Sequence, residues 1–271
     1  MVQRKKEVIK HFDAWSASYE QEVWTRDKYF HEMIESWVLK SISKIEEQKI
    51  LELGVGPGIY AKKFLERTNF VINVDISYEM LKIAKNNLEK DNDDNNLLNF
   101  VLADAQFLPF RNNIFDIINC IEVLRHLPQP YKIIWTIFIE MHRVITKHGS
   151  ILITIPNILF PLNLLWIFYY KIPLNFLRLF HKKIGYHYDR NASFPHFPVL
   201  YNEPEDHMYN FFFLKKLIRK FNLNIFQFLG NFFFPACPKI LFPIFKKINK
   251  VLGRSPWKFL AYSFLIKLER F

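Results

Sequence analysis

The chain has 271 residues, half of them hydrophobic, which is enough to bury a full core in one α/β domain with an elaboration. Its two cysteines, Cys120 and Cys237, exclude a disulfide framework and fit a reducing cytoplasm, and the polar start Met-Val-Gln-Arg-Lys-Lys lacks the apolar core of a secretory signal. The net charge of +11 is unevenly placed: residues 1–156 carry −1, whereas residues 157–271 carry +12 and hold 20 of the 29 phenylalanines. A nearly neutral engine is thus joined to a basic, aromatic-rich attachment.

In chain order, residues 4–20 read as a helix that includes His11-Phe12-Asp13-Ala14-Trp15 and Tyr19. A longer helix from Trp24 to Ile45 places Tyr29, Met33, Ile34, Trp37, Val38 and Ile42 at a helical period. Ile50-Leu51-Glu52-Leu53 then runs into Gly54-Val55-Gly56-Pro57-Gly58 and the apolar run Ile59 to Leu65, a strand, a tight turn and a helix. Glycine in such a turn adopts positive φ and lets a ligand lie on the backbone beside the positive end of the next helix. A nicotinamide fingerprint would need its third glycine where Ile59 stands, and a Walker loop would need Gly-Lys-Ser or Gly-Lys-Thr where Gly58-Ile59-Tyr60 stands, so both of those readings weaken.

Phe70 to Val74 is a second strand ending at Asp75, whose carboxylate can accept both hydroxyls of a ribose. Alternatively, Ser77 caps the helix Tyr78 to Leu88 and leaves Asp75 a turn residue. Asn99 to Leu102 is a third strand followed by Asp104, and Ile114 to Ile121 a fourth, continuous in hydrophobicity as a parallel strand covered on both faces should be. Helix Tyr131 to Val144 and strand Ser150 to Ile155 complete a strand–helix alternation that argues for a parallel, doubly wound sheet.

Beyond Pro156, the segment Ile158 to Tyr170 is apolar but shorter than the ~20 residues of a bilayer span and is interrupted by Pro161 and Asn163. It reads as a buried or membrane-surface helix. Residues 171–207 are loop-like; His181, His187, His196 and His207 lack metal-ligand spacing, so no zinc site is expected. Tyr209 to Phe221 reads as a helix, Asn224 to Phe228 as a strand, Lys239 to Leu252 as a basic amphipathic helix, and Phe259 to Leu268 as the last strand.

Five motifs in register resemble the class I S-adenosylmethionine-dependent methyltransferases, in particular the small-molecule branch with the quinone-biosynthesis enzymes. They are Glu52-Leu-Gly54-Val-Gly56-Pro-Gly58; Val74-Asp75-Ile76-Ser77 with Met80-Leu81; Ala103 to Phe110; Phe115-Asp116-Ile117-Ile118 through Leu124-Arg125-His126-Leu127-Pro128; and His142 to Ile145 with Lys147-His148-Gly149. The resemblance implies a Rossmann-like methyltransferase fold, a seven-stranded doubly wound sheet with its last strand antiparallel, and a C-terminal lid insertion. It implies S-adenosylmethionine as cofactor, bound by Glu52, Gly54, Gly56, Gly58, Asp75, Ile76, Met80, Asp104, Ala105, Gln106 and Ile121, with Asp104 taking the adenine amine. It places His126 near the methyl group as a candidate base and folds the Phe12-to-Tyr19 segment over the cofactor, which brings Trp15 or Tyr19 near the methyl group and makes Tyr19 a second catalytic candidate.

The expected division is a helical cap (1–47), a cofactor-binding core (48–156), an acceptor lid (157–208) and a C-terminal completion of the sheet with the basic amphipathic helix (209–271). Methyl transfer to a small-molecule acceptor, apolar or lipid-linked, is the reading that follows, in the cytoplasm and peripherally on the inner face of a membrane with an anionic surface. The alternatives are an RNA methyltransferase, motivated by the basic half, and a non-catalytic cofactor-binding scaffold. Against RNA, Asn119-Cys-Ile-Glu122 stands where many base-methylating enzymes carry Asn-Pro-Pro-Tyr, and no nucleic-acid partner is expected.

Overall fold

Seven strands, β1 (Ile50–Leu53), β2 (Phe70–Asp75), β3 (Leu97–Leu102), β4 (Phe115–Cys120), β5 (Ile145–Pro156), β6 (Leu223–Asn231) and β7 (Ser263–Arg270), join in one sheet in the order β3-β2-β1-β4-β5-β7-β6. The first five are parallel, and β7 runs antiparallel between β5 and β6. The computed structural model describes residues 2–19, 28–42, 48–68, 70–89, 97–127, 130–166, 207–233 and 241–270. Most of the expected lid, with His181, His187 and His196, lies outside the described residues, as does Cys237.

The two-residue period of the strands divides the core. Leu51, Ile118, Ile151, Ile153, Phe264 and Ile266 point to a face covered by α5 (Pro130–Val144) and α7 (Phe211–Lys220). Ile50, Val71, Ile117, Leu152 and Leu265 point to the other, covered by α2 (Lys28–Ser41) and α3 (Ile59–Leu65) through Ile34, Val38 and Phe64. All four residues of β1 are buried, as its central place requires. Helix α4 (Tyr78–Glu89) links β2 to β3, and α1 (Val2–Tyr19) lies against α4.

Several boundaries differ from expectation. β5 starts five residues early, because Ile145 pairs with Phe115 before an irregularity and the regular register resumes at Ser150. β6 extends to Asn231, with a bulge at Phe226 that turns this ring outward. β7 begins at Ser263 and not Phe259, because Ser255 caps a 3-10 turn over Pro256–Leu260, its Oγ accepting from Trp257 N at 3.2 Å. Only Pro161–Trp166 of the expected Ile158–Tyr170 helix is a described helix, α6. Tyr209 precedes α7 instead of starting it: Asn210 is the cap, and the buried Tyr209 hydroxyl donates to Leu124 O at 2.7 Å.

Asn157, fully buried at the end of β5, ties these pieces together. Its Nδ2 donates to Phe259 O and Ala261 O, both at 2.8 Å, its Oδ1 accepts from Leu159 N at 3.0 Å, and its N–H donates to Tyr262 O at 2.8 Å. Replacing Asn157 with Ala leaves two carbonyls and one N–H buried without that partner, so stability should fall by about 2–3 kcal/mol. The measurement is a urea titration, in which the midpoint should drop with little change of slope.

Candidate cofactor and acceptor site

The turn after β1 holds Gly54, Gly56 and Gly58 at φ of 77°, 52° and 90°. Gly54 N and Val55 N both donate to Val74 O, at 2.7 and 3.0 Å, which fixes the turn to the end of β2. The three glycines do different work. A Cβ on Gly54 would stand 2.3 Å from Val123 Cγ2, so the loop after β4 rests on that backbone. Gly58 caps α3, and a Cβ there would meet Leu88 at 3.3 Å. A Cβ on Gly56 would meet nothing within 4 Å, and this glycine lines a cavity at the carboxyl ends of β1 to β4.

Asp75 lines the same cavity. Its Oδ2 accepts from Gly56 N at 3.0 Å and its Oδ1 from Ser77 N at 2.9 Å. Burial raises its pKa above the ordinary aspartate value, the backbone donors oppose that shift, and the nearby Asp13 adds to it. Ser77 Oγ accepts from Met80 N at 3.1 Å and donates to Asp13, so it caps α4 and fastens α1 to that helix. The two roles that sequence left as alternatives therefore coexist: Ser77 is the cap, and Asp75 remains in the wall of the cavity.

After β3, Asp104 accepts from Gln106 N at 2.9 Å and Gln106 Nε2 at 3.1 Å, and its Oδ2 is paired with Lys5 of α1. Ile76, Met80, Ala105, Gln106 and Ile121 also line the cavity. Glu52 and Gly58 do not reach it. Glu52 is buried behind the turn, where Asn119 Nδ2 donates to both its oxygens at 3.1 and 2.9 Å; burial raises its pKa well above normal, with the Asn119 bond opposing.

Near β4 the wall consists of Leu53, Ile121, Glu122, Val123, His126 and Leu127, with Phe12 and Tyr19 reaching in from α1. The His126 ring meets Phe12 edge-on at 5.1 Å, and Tyr19 packs on Trp15 at 4.7 Å. Glu122 is held at φ 58°, with its N–H donating to Thr154 Oγ1 at 2.7 Å. One of its oxygens pairs with Arg125, which also donates to Tyr262 OH at 2.8 Å; the other, buried Oε1, has no hydrogen-bond partner among the described residues. A non-glycine residue kept in the left-handed region costs on the order of 1–3 kcal/mol and marks a place where geometry is imposed.

The structure thus gathers eleven of the thirteen expected site residues, Tyr19 and His126 among them, around one cavity. It adds Lys5 and Glu122, which sequence reasoning missed. Lys5 sits in an ordinary-looking basic run, and no local pattern announces the strained backbone of Glu122. Among the described residues no group of three His, Cys, Asp or Glu could hold a metal ion. An acid at the end of β2, an acid after β3 and a bare glycine backbone at the end of the neighbouring β1 suit a nucleoside with free ribose hydroxyls and an exocyclic amine.

A five-stranded parallel core completed by an antiparallel β7, with such a cavity at its carboxyl edge, is the class I methyltransferase fold. Residues 51–153 match the model of the family described as a methyltransferase domain. The ubiquinone/menaquinone biosynthesis C-methyltransferase of Wigglesworthia glossinidia brevipalpis is 30% identical over 110 residues, 40% of this chain and 42% of that protein. The ubiquinone biosynthesis O-methyltransferase of Coxiella burnetii is 29% identical over 90 residues, 33% of this chain and 37% of that one. This chain therefore spans about two fifths of the length of these curated relatives. The magnesium protoporphyrin IX methyltransferase of Synechocystis PCC 6803 shares the fold, with a TM-score of 0.61 and 11% identity over 99% of this chain and 97% of that one.

The glycines provide a test of this division of labour. Gly54→Ala combines the cost of a left-handed side chain with the collision against Val123 and should destabilise the fold by about 2–4 kcal/mol. Gly56→Ala meets no neighbour and should cost only ~1 kcal/mol. Denaturant titration of both variants should show that order.

Proposed function

We propose that the protein transfers a methyl group from S-adenosylmethionine to a small-molecule acceptor that is apolar or lipid-linked. The observation that carries the reading is Asp75, a half-buried carboxylate in the cavity wall whose position is fixed by the bare Gly56 backbone. S-adenosylmethionine supplies an already activated methyl group, so the protein's work is to hold donor and acceptor in line and keep water out. Asp75 receives the ribose hydroxyls, and Asp104 receives the adenine amine in exchange for its contact with Lys5. The Lys5 side chain, 36% exposed against 13% for Asp104, can return to solvent when the pair opens. Ile76, Met80 and Ala105 supply apolar walls, and Ile121 and Leu53 close the floor beside the glycine turn.

At the other end of the cavity, His126 takes the proton of a hydroxyl acceptor, and Phe12 fixes the orientation of its ring. Tyr19 closes that end from above. Glu122, whose Oε1 is open to a donor, accepts a hydrogen bond from an O–H or N–H of the acceptor. The similarity to two quinone-biosynthesis methyltransferases and the aromatic, basic C-terminal half support an apolar acceptor met in the cytoplasm at the inner face of a membrane.

The primary test is calorimetric titration with S-adenosylmethionine. Asp75→Ala should weaken binding roughly 30- to 150-fold, the equivalent of about 2–3 kcal/mol for two charge-assisted hydrogen bonds. An unchanged dissociation constant would remove Asp75 from the site. Gly56→Ala should bind as weakly while remaining folded.

The same titration has a pH dependence of predictable sign. The ribose hydroxyls need an ionised acceptor, and the Asp75 pKa is raised by burial, so affinity should fall on acidification at a higher pH than an ordinary aspartate would give. Asp75→Asn should bind weakly and lose this dependence. For His126→Ala, transfer from labelled S-adenosylmethionine to extracted membrane lipids should slow by ~100-fold while cofactor affinity is kept. Loss of both together would make His126 structural.

A further inference from the structure

Helix α8 (Phe242–Leu252) turns half-buried Phe242, Phe245 and Leu252 inward beside Asn249 and leaves a second apolar stripe outside. Its one buried residue is Asn249, 1% exposed, whose Oδ1 accepts from Phe233 N at 3.0 Å and whose Nδ2 lies 3.4 Å from Asn231 Oδ1. Ile244, Ile248 and Val251, spaced at i, i+4 and i+7 on one stripe, are 55%, 38% and 68% exposed. Leu241 before the helix and Trp257, Phe259 and Leu260 in the 3-10 turn after it extend the apolar surface. Within residues 241–260 there are five basic side chains, Lys246, Lys247, Lys250, Arg254 and Lys258, and no acidic one.

Charge decides what such a face can meet. A second copy of the chain, joined through the same patch, would bring five cations against five. A nucleic acid would satisfy the lysines but leave the aliphatic stripe in water. A bilayer with anionic headgroups satisfies both, because an apolar stripe enters the acyl boundary while flanking lysines meet the phosphates.

Topology puts the turn that continues this face at the same edge of the sheet as the site. β7 starts at Ser263, which pairs with both Pro156 and Asn231 at the ends of β5 and β6, so the 3-10 turn lies at the carboxyl edge of the sheet, where the cavity also lies. Tyr262, directly before β7, receives the hydrogen bond from Arg125, and Arg125 holds Glu122 in the cavity wall. We propose that α8 and the turn Pro256–Leu260 dock the protein on an anionic phospholipid surface. That the docked edge receives its acceptor from the bilayer rests on the methyl-transfer reading; the docking itself does not.

The experiment is sedimentation of the full chain with vesicles of phosphatidylcholine containing phosphatidylglycerol, and with phosphatidylcholine alone. Binding to the mixed vesicles should be at least ~10-fold tighter than to the neutral ones and should weaken with added salt. Ile244/Ile248/Val251→Ser and Lys246/Lys247/Lys250→Glu should each reduce it by ~10-fold or more. All six positions are exposed, so both variants should unfold like wild type. Both should also bind S-adenosylmethionine like wild type, which separates failure of docking from failure of the cofactor reading. Absence of vesicle binding at low salt overturns the proposal. So does binding indifferent to the serine substitutions, and if single-stranded RNA then binds with equal salt sensitivity, the basic face belongs to nucleic acid.

Discussion

The turn between β1 and α3 is locked from two sides. Val74 O takes the N–H groups of Gly54 and Val55, and Val123 occupies the space where a side chain on Gly54 would lie. Because the turn has one available path, the ends of β1, β2 and β4 are held at fixed separations, and the side chains carried there inherit that precision. Asp75 is in turn held by the N–H groups of Gly56 and Ser77, so a carboxylate that burial disfavours as an anion stays in one orientation. Preorganisation of this kind lets a binding site avoid much of the entropy loss of ordering its own groups when the ligand arrives.

Helix α1 covers the cavity through polar contacts that differ in their exposure to solvent. Ser77 with Asp13 anchors it to the start of α4, whereas Lys5 with Asp104 is partly solvated. The first contact sets where the helix lies. The second can be exchanged for a ligand's hydrogen bonds, so the cover and the site share one carboxylate. Phe12, Trp15 and Tyr19 run along the same helix and carry the cover from the Asp104 side to the His126 side.

What could be read in the sequence follows from how local the determining physics is. The glycine turn and the central strands were legible because positive-φ turns demand glycine and parallel central strands demand continuous apolar runs, and both leave marks within a few residues; the cavity residues came from the resemblance of the five motifs, and the strand order is seen only in the fold. The cap at Ser77 and the acid at Asp75 were each legible but seemed to compete, since only coordinates show one residue's N–H serving the other's carboxylate. Lys5 and Glu122 left no such mark: one acts across about a hundred residues, and the other through a backbone angle fixed by Thr154 and Arg125. For α8 the periodicity gave an apolar stripe and a basic face, yet not which side meets the sheet. Asn249, with partners on β6 and its following loop, sits on the inward face beside half-buried Phe242, Phe245 and Leu252, which leaves Ile244, Ile248 and Val251 outside.

The antiparallel β7 has a consequence for how the protein is made. It lies inside the sheet, between β5 and β6, although it follows every other described strand in the chain. Until residues 263–270 leave the ribosome, β5 presents an open edge with Ile151, Leu152 and Ile153 in it, and β6 has no neighbour at all. Such an edge can pair with other nascent chains. Chaperone dependence should accordingly be greatest between the emergence of β6 and that of β7, and a substitution that slows the closing of β7 should reduce yield before it alters any property of the finished molecule.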